Sequence, residues 1–196
     1  RFLGRGEATI TVPSFDGALK PNQLLETAET LFECEAPEDL AIDGNSLLVA
    51  DGVRLLRLAG SVPTVIRTFD RPISALAVLP AGEVAVALGG TEVHVYDDIT
   101  AKAQASLLTG PFHAVNALAL APDGTLIATD GSSLRGVADW ARDLIELGET
   151  GRVFLLDPRT RTTTQLAGGL GHAFGAVASG SGVLVSESWR HRLVSI

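Results

Sequence analysis

Residues 115–131 hold two short apolar runs separated by Pro122, Asp123 and Gly124, and this unit limits the possible folds more than any other feature of the sequence. Proline fixes φ, aspartate bonds its own backbone and glycine accepts positive φ, so the three residues predict a tight turn. The flanking runs, 117–121 and 125–129, are then paired strands. Asn116 enters the first and Asp130 leaves the second, which sets both polar side chains at the same open end of an antiparallel hairpin.

The unit recurs. Residues 38–51 repeat it with a turn one residue shorter, 74–88 at full length, and 174–187 more loosely. The leading positions Glu38, Ser74, Asn116 and Phe174 are 36, 42 and 58 residues apart. A drifting period of about 40 with several strands per unit predicts the blades of a β-propeller. The expected blades are 35–71, 72–110, 111–168 and, incompletely, 169–196 of one propeller domain, 35–196. Third and fourth strands are expected at 53–58 and 63–68, at 92–96 and 103–108, and at 152–156 and 162–166. Residues 1–34 read as an N-terminal extension, with short strands over 8–12 and 30–34. A composition of 46% hydrophobic residues with 21 glycines agrees with a turn-rich all-β chain.

The third blade breaks the rhythm. Between Asp130 and the next strand, Val137, Trp140, Ala141, Leu144 and Ile145 follow helical spacing, which predicts an amphipathic helical insertion near 133–148. It would lie over one end of the propeller, as a lid or as cover for a blade edge.

About three and a half blades do not close a ring, and open strand edges pair or aggregate. The sequence therefore implies further blades, from a continuing C-terminal part or from another chain. A start at Arg1 rather than Met implies residues upstream, together with any anchor or export signal. No apolar run approaches the roughly 20 residues that span a bilayer. The net charge of −8 argues against nucleic acid, which needs a basic face. Cys34 has no partner within the chain, leaves the compartment open, and reads as a small buried apolar residue rather than a nucleophile. His94 lies in an alternating strand and reads as a solvent-side or edge residue.

Residues 129–132, 151–158, 166–170 and 183–194 resemble the strictosidine synthase-like family, a branch of six-bladed calcium-dependent propellers that includes gluconolactonase-like and paraoxonase-like enzymes. Residues 37–42 look like the family's first inner strand and 115–118 like its third. The likeness covers most of 35–196 and is most specific at 150–194. It implies six blades and carries the family's metal ligands over to Glu38 and Asn116. Where the calcium enzymes usually offer Asn before Gly, this chain has Phe174 before Gly175, and a phenyl ring does not ligate a hard cation. The remaining family ligand would fall in a fifth blade. Glu187, in a run that marks the family, is expected to hold Arg190 or Arg192.

The residues alone say less. Calcium takes six to eight oxygen ligands, and Glu38 with Asn116 is a start on such a set. Read structurally, Asn116 caps local backbone and Glu38 is a solvated charge beside Asp39. Ser74, in the same register, is placed to bind substrate or a water. His113, three residues before Asn116, is a candidate general base, since imidazole titrates near neutral pH; the structural reading is a loop histidine. His172 has the analogous place before Phe174 and, with Trp189 and Phe174, belongs to a substrate pocket. The expected activity is calcium-dependent hydrolysis of a small-molecule ester or lactone, another divalent cation being an alternative. A non-catalytic binding or scaffold propeller is the rival, and an amine–aldehyde condensing synthase, with its acid–base residue in a late blade, the third.

Overall fold

The computed structural model describes residues 20–100, 105–180 and 182–196, and the chain divides into two units, Arg1–Glu33 and Cys34–Ile196. In the described part of the first, Leu24–Thr27 forms a 3-10 turn. The strand expected over 8–12 lies outside the described residues. Residues 30–34 carry no regular structure. No described strand pairs with them, and extended backbone without a ladder leaves its N–H and C=O groups to water.

The second unit is an all-β propeller with four blades, mostly strand with one short helix. Blade one is β1 (Pro37–Asp43), β2 (Ser46–Asp51), β3 (Arg54–Leu58) and β4 (Pro63–Thr68). Blade two is β5 (Ile73–Val78), β6 (Val84–Leu88), β7 (Glu92–Tyr96) and β8 (Ser106–Leu108). Blade three is β9 (Val115–Leu120), β10 (Leu126–Asp130), β11 (Gly151–Asp157) and β12 (Thr162–Leu170). Blade four is β13 (Ala173–Ser179), β14 (Gly182–Glu187) and β15 (Arg192–Ser195). Every sheet runs antiparallel in chain order, so the starts of first strands, the ends of second strands and the starts of third strands share one end of each blade. That end is called the mouth below.

Small residues on the inner strands let neighbouring blades approach. Ala75, Ala77, Ala85 and Ala87 of blade two pack against Val115, Leu118 and Leu126 of blade three in one buried cluster. Phe112 and Phe154 meet edge to face in the same core, with ring centroids 5.3 Å apart. Among the described residues the outer face of blade one has no such neighbour. Leu40 is 62% exposed, whereas Leu76 and Leu118, its repeats in blades two and three, are 3% and 7% exposed.

The insertion follows β10. It contains a 3-10 turn, Val137–Asp139, and one helix, α1 (Trp140–Ile145). The expected apolar stripe is absent from its buried side. Trp140 and Ile145 are exposed, and the one residue α1 buries is Asp143. The reason is a specific bond: Asp143 Oδ2 accepts the indole N–H of Trp189 in blade four at 2.7 Å.

Candidate functional site

At the mouth each inner strand slips register once. Glu38 falls between the paired Pro37 and Asp39, Ser74 between Ile73 and Ala75, and Asn116 between Val115 and Ala117. In blade four, Phe174 and Gly175 together face Ser186, whose hydroxyl accepts the Gly175 N–H at 2.7 Å. A β-bulge frees one residue from the ladder and re-aims its side chain. The four leading residues of the sequence repeat are thus the bulged residues of four consecutive blades.

Buried carboxylates hold three of these entries in place. Asp51, Asp130 and Glu187 end β2, β10 and β14, and each lies opposite an arginine in the first two residues of the third strand: Arg54, Arg152 and Arg192. Asp51 Oδ1 accepts the Ala36 N–H at 2.6 Å, Asp130 Oδ1 those of Ala114 at 2.6 Å and His113 at 3.0 Å, and Glu187 Oε1 that of Gly171 at 2.7 Å. On the other side, Arg54 Nη2 donates to Asp51 at 2.5 Å, Arg152 Nε to Asp130 at 3.0 Å and Arg192 Nε to Glu187 at 2.5 Å. The Ala36 N–H and the Arg54 guanidinium hold the Asp51 carboxyl below its ordinary range. Burial pushes Glu187 up, but its bonds to Arg192 and the Gly171 N–H outweigh that and leave it lowered. The expected pairing of Glu187 with Arg192 is therefore present, and Arg190 Nε lies 3.3 Å from the same carboxylate.

The leading side chains differ in what surrounds them. Glu38 is exposed. Asp39 beside it turns inward and accepts the Leu76 N–H at 2.8 Å, linking blades one and two; burial raises its pKa. Ser74 Oγ is buried with no hydrogen-bond partner. Asn116 Nδ2 donates to Ala173 O at 3.1 Å, across the blade three–four boundary rather than to local backbone. A carbonyl only accepts, so the amide nitrogen belongs on that side and Oδ1 is the atom left over.

His172 packs against Asn116. Its φ of 61° is in the left-handed region that few non-glycine residues adopt, and Ser188 N–H and Trp189 N–H fix the turn by bonding His172 O at 3.1 Å and Gly171 O at 3.0 Å. The imidazole is buried, stacked on Trp189 with centroids 4.3 Å apart and facing Phe174 at 6.3 Å. Trp140 of α1 lies 6.4 Å beyond Trp189, so four rings run from the insertion to the blade-four bulge. Burial lowers the His172 pKa, against the opposing pull of Asp143, and favours the neutral ring. Phe174 and Trp189 therefore make a stack around His172. Gly131 lies below: a Cβ there would stand 2.5 Å from Asn116 Nδ2 and 2.6 Å from His172 Cε1.

The remaining candidates lie elsewhere. His113 is exposed, with Nδ1 3.2 Å from Pro111 O and 3.5 Å from Arg152 Nη2. His94 sits in β7, paired with both β6 and β8 and so not at a sheet edge, with its ring half-buried 2.8 Å from Glu92. Cys34 is half-exposed rather than buried. A cleft of about 340 Å³ at the opposite end of blade one is lined by Gly44 and Asn45 of the first turn and by Ser46 and Leu47 of β2, among others, and contains no titratable side chain. Among the described residues no group of three or more His, Cys, Asp or Glu is placed to hold a metal ion. The oxygens of Glu38, Ser74 and Asn116 suit a hard cation in kind, though three are fewer than the six to eight it takes.

No protein-family model matches the sequence, and no curated protein matches it. Solved structures do. A gluconolactonase from Xanthomonas campestris superposes on 85% of this chain and 60% of its own, with a TM-score of 0.67 and 22% identity. The fold is a β-propeller, similar to that of this gluconolactonase. A chain of a nidogen–laminin complex covers 84% of this one and 60% of itself, with a TM-score of 0.64 and 13% identity. The computationally designed Ika4 protein matches 86% of this chain and 98% of its own at a TM-score of 0.57 and 14% identity. The chain thus spans about 60% of the length of both natural neighbours. No described helix is long and apolar enough to cross a membrane.

The insertion's Asp143 and the glycine at 131 went unread in the sequence. The one available signal for Asp143 was its place amid an otherwise apolar helical pattern, a position that a lone acid occupies only when something buries with it.

Proposed function

We propose that the mouth hydrolyses a small-molecule ester or lactone, and that the chain forms four blades of a six-bladed, strictosidine synthase-like propeller. The observation that supports this reading is the run of bulges, which sets Glu38, Ser74 and Asn116 out of register at one end of consecutive inner strands. The gluconolactonase neighbour supports the reaction class.

Glu38 and Asn116 would hold a calcium or other divalent ion, Glu38 through its carboxylate and Asn116 through Oδ1. Such an ion, when bound, supplies polarisation of the substrate carbonyl and charge to offset the developing oxyanion. Ser74 Oγ, which has no protein partner, binds a substrate oxygen or a water. His113, at the mouth end of blade three, is the proposed base for the attacking water. Exhaustive chelation should abolish hydrolysis of simple lactones and aryl esters, and calcium should restore it. Hydrolysis that survives chelation would remove the metal from the mechanism.

A second reading, a binding or scaffold propeller without chemistry, is favoured by Phe174, which occupies a bulge where an oxygen ligand is wanted. Elemental analysis separates the two: a protein without bound calcium and without lactone hydrolysis is a binder.

A further inference from the structure

We propose that Asp143 is a positioning residue: from the insertion it fixes the ring of His172, and through that ring it sets the Asn116 amide so that oxygen, not NH2, faces the mouth. The functional value of this arrangement rests on the hydrolase reading, while the arrangement itself can be tested apart from it.

The chain of contacts starts at the amide. Asn116 Nδ2 gives one hydrogen to Ala173 O at 3.1 Å, and the same nitrogen lies 3.5 Å from His172 Nε2. Nε2 can face that second N–H only when it carries no hydrogen of its own. The neutral ring then has its proton on Nδ1. That atom is buried, makes no hydrogen bond, and has Asp143 Oδ2 at 3.7 Å. A carboxylate at this distance favours an N–H dipole pointing towards it over a lone pair.

Asp143 has little freedom to be elsewhere. It is 3% exposed, its Oδ2 accepts the Trp189 indole N–H at 2.7 Å, and Trp189 in turn stacks on the His172 ring. A Cβ on Gly148 would stand 2.3 Å from Asp143 Oδ1, so the insertion closes tightly over the carboxylate. In the other tautomer, Nε2–H would oppose the Asn116 N–H, donor against donor. The amide would turn over, Ala173 O would lose its donor, and the mouth would receive an NH2 group where a hard cation or a polarising contact needs oxygen. The insertion is thereby neither a plain lid nor plain edge cover, but a support for the blade three–four side of the mouth.

The experiment uses the full chain labelled with nitrogen-15. Long-range proton–nitrogen correlation reports the tautomer of each of the four histidines, and His172→Gln assigns the signal. Native His172 should be the Nδ1–H form. Asp143→Asn keeps an acceptor for the Trp189 indole and removes the charge; Asp143→Ala removes both. Both variants should move His172 towards Nε2–H and lower kcat on a lactone by about 10- to 100-fold, with KM little changed, the range typical of losing a partner that orients a ligand. Glu146→Gln, which loosens the outer Arg135 and Arg142 pairs of the insertion, should alter neither. A native His172 protonated on Nε2, or a tautomer unmoved in Asp143→Asn, would overturn the proposal. The expected tautomers in a protein that hydrolyses no lactone would instead sink the hydrolase reading and leave the positioning role standing.

Discussion

Blades two and three are both packed between neighbours, so exposure does not explain how differently they build the mouth. In blade three, Asp130 is fully buried opposite Arg152 and takes the N–H groups of the two residues that lead into β9. In blade two the same place holds Leu88, and the charge moves one strand outward to Glu92, which pairs with Arg71 at 2.6 Å and His94 at 2.8 Å on a half-exposed surface. The backbone entering β5 meets no buried carboxylate among the described residues: Ile73 N–H bonds Gly52 O at 2.8 Å, and the Glu92 pair holds only the Arg71 side chain. The leading side chains follow suit: Asn116 is tied to blade four, and Ser74 has no partner. Blade one completes the lesson. It has the carboxylate clamp, Asp51, yet Glu38 is exposed. A clamp fixes the backbone of a strand entry; fixing its side chain takes a shaped neighbour, which blade four and the insertion supply for Asn116.

The largest effect should come from breaking the buried clamp. Asp130→Ala leaves two N–H groups and the Arg152 guanidinium without their acceptor, and losing one side of a buried pair costs about 3–5 kcal/mol. Urea unfolding measures it. A loss no greater than that of Glu92→Gln in blade two would end the distinction between the two blades. Next in size is Gly131→Ala, whose Cβ collides with Asn116 and His172; overpacking of this kind costs about 1–3 kcal/mol and should displace the Asn116 side-chain amide signals in a proton–nitrogen spectrum. Gly89→Ala, its counterpart after Leu88, has only Arg71 nearby, at 3.4 Å, and suffers mainly from φ of 58°. It should cost about 1–2 kcal/mol and leave the Asn116 amide unmoved.

How much of this could be read from the sequence follows the range of each interaction. Turn residues and apolar alternation act within a few positions, so Pro122, Asp123 and Gly124 disclosed their hairpin and the repeat disclosed the blades. The equivalence of Glu38, Ser74, Asn116 and Phe174 was legible as spacing, but the bulges were not, because a bulge is a property of a pair of strands and the partner's register is invisible in one of them. Glu187 disclosed its arginines because they are three and five residues away. Asp143 lies 46 residues from Trp189, and helical periodicity pointed its apolar neighbours inward when only the acid is buried. The run 30–34 has strand-like residues and pairs with no described strand, in keeping with β-propensity being realised in a ladder.

The smallest effect tests the surface side of the comparison. The Arg71 guanidinium, helped by His94, holds the Glu92 carboxyl down at about 2, below its ordinary 4.5. A lowered carboxylate contributes stability that is fully present above its unfolded value and is lost as pH falls through the folded one, so the window runs from about 4.5 down to about 2. Glu92 and Arg71 are each more than a third exposed, and water screens such pairs to about 0.2–1 kcal/mol. Glu92→Gln should therefore lower the melting temperature slightly at neutral pH, and the gap to the native protein should close as the pH approaches 2. In blade one the lowered Asp51 follows the same sign from inside the fold, so Asp51→Asn should show a wider gap at neutral pH that likewise closes as the pH falls through the acid range. Equal gaps for the two variants would mean that burial does not set the strength of these carboxylates, and the contrast between blade two and its clamped neighbours would lose its physical basis.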